Sequence, residues 1–268
     1  MIFDTLIRAL GRRKAEAVAL AIVAGGTAVG LRNNAAQDSG ASVADAATSA
    51  ITVNATAPSM TYLSNAVAKA APARTTTHVE GLPNLASKRV DAWVKTFTTT
   101  QRDSYATYLR RMTKYDDMIS SKLAEKNLPK GLIYLAMIES GFNPTAKSRV
   151  AARGLWQFMS PTAREYGLKV GRKVDERVNP SRATDAALAY LSDLYDRFGS
   201  WYLAAAAYNT GQGRVAKVMK QVTGRTKGTD ADFYRIASRL PKETREYVPK
   251  LVAAARIGAN PQQYGFGD

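Results

Sequence analysis

Leu132-Ile133-Tyr134-Leu135-Ala136-Met137-Ile138-Glu139-Ser140-Gly141 is the stretch whose reading sets the fold class. Its apolar run is almost unbroken, Pro129 lies just upstream at a first-turn position, and Gly141 stands where a helix would stop. The stretch therefore predicts a helix from Pro129 to Ser140 that is almost wholly apolar and ends in a single carboxylate.

Helical periodicity continues on both sides. Upstream, Val90, Trp93, Val94 and Phe97 fall at helical spacing, as do Tyr105, Tyr108, Leu109 and Met112, and Tyr115 to Glu125 forms a third segment broken at Lys126-Asn127-Leu128. Downstream, the pattern predicts helices at Ser160 to Tyr166, Arg182 to Phe198, Trp201 to Tyr208, Arg214 to Val222, Phe233 to Arg239 and Lys242 to Ile257. Alternating extended segments are almost absent. The expected fold class is all-α, in a domain of roughly 180 residues, large enough for a proper core.

The N-terminal part reads differently. Arg8, Arg12, Arg13 and Lys14 precede an uncharged stretch from Ala17 to Leu31, a pattern that resembles a secretory signal or short signal anchor; a buried or amphipathic helix is the alternative. The run falls short of the roughly 20 residues a spanning helix needs. From 34 to 87 the chain is dominated by Ala, Ser, Thr, Asn and Pro and predicts a flexible tether, because it offers little apolar surface to offset the entropy of ordering. The expected organisation is thus an export segment (1–33), a tether (34–87) and a helical globular domain (88–268). His78 falls in the tether, where no preorganised site is expected.

Composition narrows the chemistry. The 268 residues contain no cysteine and one histidine, which excludes disulfides, thiolate metal sites, cysteine nucleophiles and multi-histidine metal centres. No calcium-loop pattern is present, so neither metal nor cofactor is expected. The net charge is +16. Residues 1 to 100 hold 10 basic and 6 acidic residues, and residues 101 to 268 hold 28 and 16, without any long run of like charge. That dispersal argues against a nucleic-acid-binding arm and for a basic globular surface suited to an acidic polymer.

Any catalysis must then rest on carboxylates, hydroxyls, amides or cations. Glu139 ends an apolar helix at the negative end of its dipole, and both surroundings raise a carboxyl pKa toward the range a general acid needs. Taken alone, the same residue reads equally as a partly exposed helix-end glutamate. Two further segments add aromatics, amides and glycines: Gly154-Leu155-Trp156-Gln157-Phe158-Met159 and Ala207-Tyr208-Asn209-Thr210-Gly211. Singly, each is also compatible with a turn or a helix cap. Together they offer the stacking faces and amides of a sugar-binding groove.

Glu139-Ser140-Gly141-Phe142, these two segments and the late Glu243-Thr244-Arg245-Glu246-Tyr247-Val248, in this order, resemble the four motifs of the family 1 lytic transglycosylases, most nearly the membrane-bound lytic murein transglycosylase D branch. The resemblance runs from about Arg89 to Ile257. It implies a goose-lysozyme-like helical domain that cuts peptidoglycan glycan strands between N-acetylmuramic acid and N-acetylglucosamine without water, forming 1,6-anhydromuramyl products. Glu139 would be the acid and then the base. Ser140 would orient Glu139 or the substrate, Gln157 and Met159 would shape the groove, Tyr208 and Asn209 would contact the sugars, and Tyr247 would hydrogen-bond Glu139. No LysM repeat is visible, so wall affinity is expected from the groove, the basic surface or a partner. A monomer in the periplasm or cell envelope is expected, held at the inner membrane if the N-terminal segment is retained.

One physical argument agrees with the resemblance: hydrolytic glycosidases use two carboxylates, whereas a reaction whose nucleophile belongs to the substrate needs one. The other candidate carboxylates, Asp175 and Glu176, read better as part of a turn braced by Arg177 and Pro180. A goose-type hydrolytic lysozyme using such a second carboxylate is the alternative, as is a non-catalytic wall-binding protein of the same fold.

Overall fold

The computed structural model describes residues 78–267. The expected export segment and all of the expected tether before His78 lie outside the described residues. Within them, order begins with a hairpin, β1 (His78–Val79) and β2 (Leu82–Pro83), paired antiparallel with Val79 opposite Leu82. Leu82 is buried, the Gly131 amide donates to the Glu80 carbonyl at 2.7 Å, and the Tyr202 hydroxyl donates to the Pro83 carbonyl. The last ten residues of the expected tether are therefore docked on the helical domain. Isolated apolar residues such as Leu82 carry no periodicity, so tertiary burial decides their fate.

Ten α-helices follow: α1 (Lys88–Thr98), α2 (Arg102–Met112), α3 (Asp116–Glu125), α4 (Ile133–Ser140), α5 (Ser160–Glu165), α6 (Pro180–Phe198), α7 (Trp201–Thr210), α8 (Gln212–Thr223), α9 (Asp230–Ile236) and α10 (Lys242–Ala259). The domain is all-α as expected, with differences at helix ends. Lys130–Leu132 forms a separate 3-10 turn before α4, and Ala237–Arg239 forms another after α9. Helix α6 starts at Pro180 because the Asn179 side chain accepts from the Arg182 amide at 3.0 Å, capping the first turn. Ser200 caps α7 in the same way, and Thr229 with Asp232 forms a capping box on α9.

Helix α7 is the centre of the domain. Tyr202 through Ala207 are all buried, and α6, α8, α9 and α10 pack against it. Four consecutive alanines, Ala204–Ala207, leave room for close neighbours and suit a helix surrounded on all sides. Helix α4 is the second buried rod, with Ile133–Met137 fully enclosed and α10 alongside. The C-terminal ends of α4 and α7 carry Glu139-Ser140 and Tyr208-Asn209, and the first turns of α10 carry Glu243, Thr244 and Tyr247. No described helix is long and apolar enough to cross a membrane.

Candidate active site

Gly141 closes α4 in the left-handed conformation, φ 57°, and a Cβ there would stand 2.3 Å from the Tyr108 ring, so only glycine ends the helix at this point. That tight stop leaves Glu139 in the last turn, half-buried. The Tyr247 hydroxyl, from α10, donates to Glu139 Oε1 at 2.7 Å. Burial lifts the Glu139 pKa from 4.5 to about 7; the Tyr247 hydrogen bond and the Lys250 charge pull it down, and Glu243 pushes it up. At neutral pH the carboxyl is close to half protonated, able both to give and to take a proton.

The three other motifs close a ring of hydrogen bonds with this one. Ser140 Oγ reaches the Leu155 carbonyl at 2.8 Å. The Tyr208 hydroxyl donates to the Trp156 carbonyl at 2.8 Å. Asn209 Nδ2 donates to Glu243 at 3.2 Å, and Thr244 donates to Asn209 Oδ1 at 2.8 Å. Tyr247 returns to Glu139. Burial raises both tyrosine pKa values well above the ordinary range, with the Glu139 charge adding to the rise, so each phenol stays protonated and remains a donor.

The loop from 146 to 159 owes its shape to a buried cation. Arg177 donates to the Ala151 and Phe158 carbonyls at 2.9 and 3.0 Å, and grips Asp175 through Nε and Nη2 at 2.9 and 2.8 Å. Gly154, at φ 84°, lies so near this arginine that a Cβ would come within 1.8 Å of the Arg177 carbonyl oxygen. Asp175 also accepts from Arg153, and the guanidinium bonds hold its pKa below the usual carboxylate range. Its oxygens are engaged in bracing the loop, as the turn reading of this segment anticipated.

Each expected site residue has a definite place. Glu139, Tyr208 and Tyr247 come together, linked by hydrogen bonding and by charge. Ser140 is adjacent, but its hydroxyl lies on the Ala136 and Leu155 carbonyls and none of its contacts reaches Glu139. Gln157 folds its amide back onto the Gly154 and Ala146 carbonyls at 2.8 and 3.3 Å, with a left-handed backbone at φ 48°. Met159 is 40% exposed on extended backbone just before α5. Asn209 joins α7 to α10.

Sequence reasoning did not single out Lys250, which influences Glu139 from one turn beyond Tyr247, or the tyrosine row Tyr208, Tyr190 and Tyr166, with ring centroids 5.3 and 4.9 Å apart. A signal for the first was present: Glu243, Tyr247 and Lys250 fall at i, i+4 and i+7, one face of a helix. The tyrosine row comes from three different helices or helix ends and has no local signature. No group of acidic residues or histidine suited to a metal ion occurs among the described residues.

The chain is similar to several known proteins. Residues 117–230 match the family described as the transglycosylase SLT domain. The chain is 40% identical over 156 residues to membrane-bound lytic murein transglycosylase D of Escherichia coli strain K12, covering 58% of this chain and 34% of that protein. It is 35% identical over 170 residues to peptidoglycan transglycosylase gp16 of Escherichia phage T7, covering 58% and 12%. The crystal structure of the 70 kDa soluble lytic transglycosylase of Escherichia coli is similar over 56% of this chain and 24% of that one, with 27% identity and a TM-score of 0.46. The chain thus spans about a third of the length of the first of these relatives and less of the others.

Proposed function

We propose that this chain, which carries a transglycosylase SLT domain and is similar to the family 1 lytic transglycosylases, cleaves the β-1,4 bond between N-acetylmuramic acid and N-acetylglucosamine in peptidoglycan glycan strands. The cut is non-hydrolytic. Protonated Glu139 gives its proton to the leaving glycosidic oxygen as the bond to the muramyl C1 breaks. The resulting carboxylate then takes the proton of the C6 hydroxyl, whose oxygen bonds to C1 and closes the 1,6-anhydro ring. Glu139 ends as it began, and no water is consumed.

The observation that carries this reading is Glu139 itself: a half-buried carboxyl with a pKa of about 7, hydrogen-bonded by a tyrosine that stays a donor throughout. The candidate second carboxylate, Asp175, is tied to two guanidinium groups, which favours an internal hydroxyl over an activated water. Tyr208 and Asn209 stand at the open end of α7 to meet the sugar, with Met159 on the exposed rim. Ser140 and Gln157 act on the substrate through the loop backbone they hold. The reading places the protein in the bacterial cell envelope, with the +16 charge favouring an acidic wall polymer.

Digestion of purified sacculi followed by mass spectrometry of the fragments tests it. Products one water lighter than hydrolysed muropeptides are expected. Hydrated products would turn the reading to a lysozyme, and binding without products would turn it to a wall-binding protein.

A further inference from the structure

Lys250 takes no part in the ring of motifs, yet it stands where α10, α1 and α4 meet. Its Nζ lies 3.4 Å from the carbonyl oxygen of Ile138, the residue before Glu139, and 5.5 Å from the centroid of the Trp93 ring. Trp93 is itself held in place: its Nε1 donates to Glu246 Oε2 at 3.1 Å, and Arg89 pairs with the other oxygen of Glu246. The chain Arg89, Glu246, Trp93, Lys250 thus ends on the backbone of the catalytic turn. Long lysine side chains are ordinarily left in water. This one is half-buried, beneath an aromatic face whose tilt is fixed by a separate ion pair.

We infer that Lys250 is a positioning residue for Glu139: seated on Trp93 and at the Ile138 carbonyl, its ammonium pins the last turn of α4 and stabilises the negative charge Glu139 carries between its two proton transfers. The inference rests on the transglycosylase reading for its kinetic consequences, but the placement of the ammonium does not. Helix α4 ends with its dipole pointing negative charge at Glu139, and a cation at that end opposes the dipole. The groups that face Glu139 are few. From α10 come Tyr247, Lys250 and Glu243; from α7 comes Tyr208. From α2, Arg111 Nη1 sits 3.4 Å from the Gly141 carbonyl, one residue past the end of the helix. On the α1 side, Arg89 and Glu246 neutralise one another. Lys250 is thus the cation whose charge acts on the carboxyl itself, and it opposes the like charge of Glu243. Burial holds the Lys250 pKa below its usual value, and Glu139 and Glu243 push it back up.

Three variants of the full chain separate charge from pinning: Lys250→Gln, which keeps a donor for the Ile138 carbonyl but no charge, Lys250→Met, which keeps neither, and Lys250→Arg, which keeps both. Two readouts are needed. The first is the Glu139 carboxyl titration followed by carbon-13 NMR, independent of turnover. The second is the pH profile of anhydromuropeptide release, separated into kcat and KM. The midpoint and the alkaline limb should move to higher pH in Gln and Met, kcat at the optimum should fall about threefold to tenfold with KM unchanged, and Arg should restore both. Circular dichroism melting identifies a variant that fails to fold, and the remaining uncharged variant then decides. A Glu139 titration unmoved in a folded Gln or Met variant, or moved as far in Arg, overturns the inference. Wild-type protein that releases no anhydro products would instead overturn the transglycosylase reading, leaving the titration to judge Lys250.

Discussion

Asp232 at the start of α9 and Glu139 at the end of α4 are both drawn out of water, yet burial ends in opposite ionisation. Asp232 is 3% exposed and accepts from the Thr229 amide and hydroxyl, from Arg225 and from Arg235. Desolvation raises its pKa, but these four donors outweigh it and the value falls to about 2. Glu139 has one phenol and one nearby ammonium, and its pKa rises to about 7. The two sites also lie at opposite helix ends, so the dipole stabilises the first carboxylate and opposes the second. A carboxylate at a helix N-terminus with a full set of donors holds structure together. One at a C-terminus with few donors remains able to exchange its proton.

The largest break in this comparison comes from Glu139→Gln, which keeps shape and removes the exchangeable proton. Fragment release should fall about a thousandfold while sacculus binding persists, measured by muropeptide release and by pelleting with sacculi. The same variant should be more stable than wild type at alkaline pH. A pKa raised on folding means that stability declines as pH rises from about 4.5 through about 7, by at most about 3 kcal/mol and less where the carboxyl keeps some solvent. Melting curves across that window should diverge between variant and wild type.

Tyr247→Phe removes the hydrogen bond that favours the carboxylate. The rate should drop about tenfold to a hundredfold, and the Glu139 titration should move upward. Asp232→Asn tests the structural partner of the comparison. A folded pKa below the unfolded one contributes stability above about pH 4 that is lost as pH falls through about 2, so the variant should lose about 2 kcal/mol at neutral pH and converge on wild type in acid. Urea unfolding at several pH values measures this, and turnover should be nearly unchanged. The smallest effect is expected of Glu243→Gln: loss of the like charge should lower the Glu139 midpoint and change the rate less than about threefold.

Much of the scaffold was legible along the chain. Periodicity located the helices and Gly141 the end of α4, because both signals are local; the caps at Asn179 and Ser200 also act within a turn of themselves, yet the structure was needed to show them. The hairpin at His78–Pro83 was not legible, because Leu82 finds its burial against Gly131, 49 positions away. In the site, the motif residues were visible in the sequence, and their partners were not. Tyr247 and Glu139 are 108 residues apart, Tyr208 and Trp156 are 52 apart, and Ser140 turns to Leu155 rather than to neighbouring Glu139.

The sequence by itself determined which helices form and, to within a turn, where each lies, and that the chemistry has no thiol and one imidazole with which to work. Only the tertiary structure decided which carboxyl exchanges protons near neutrality and which braces a loop or caps a helix. Those outcomes depend on desolvation and on donors brought from distant helices, and such through-space quantities have no local period for a sequence to display.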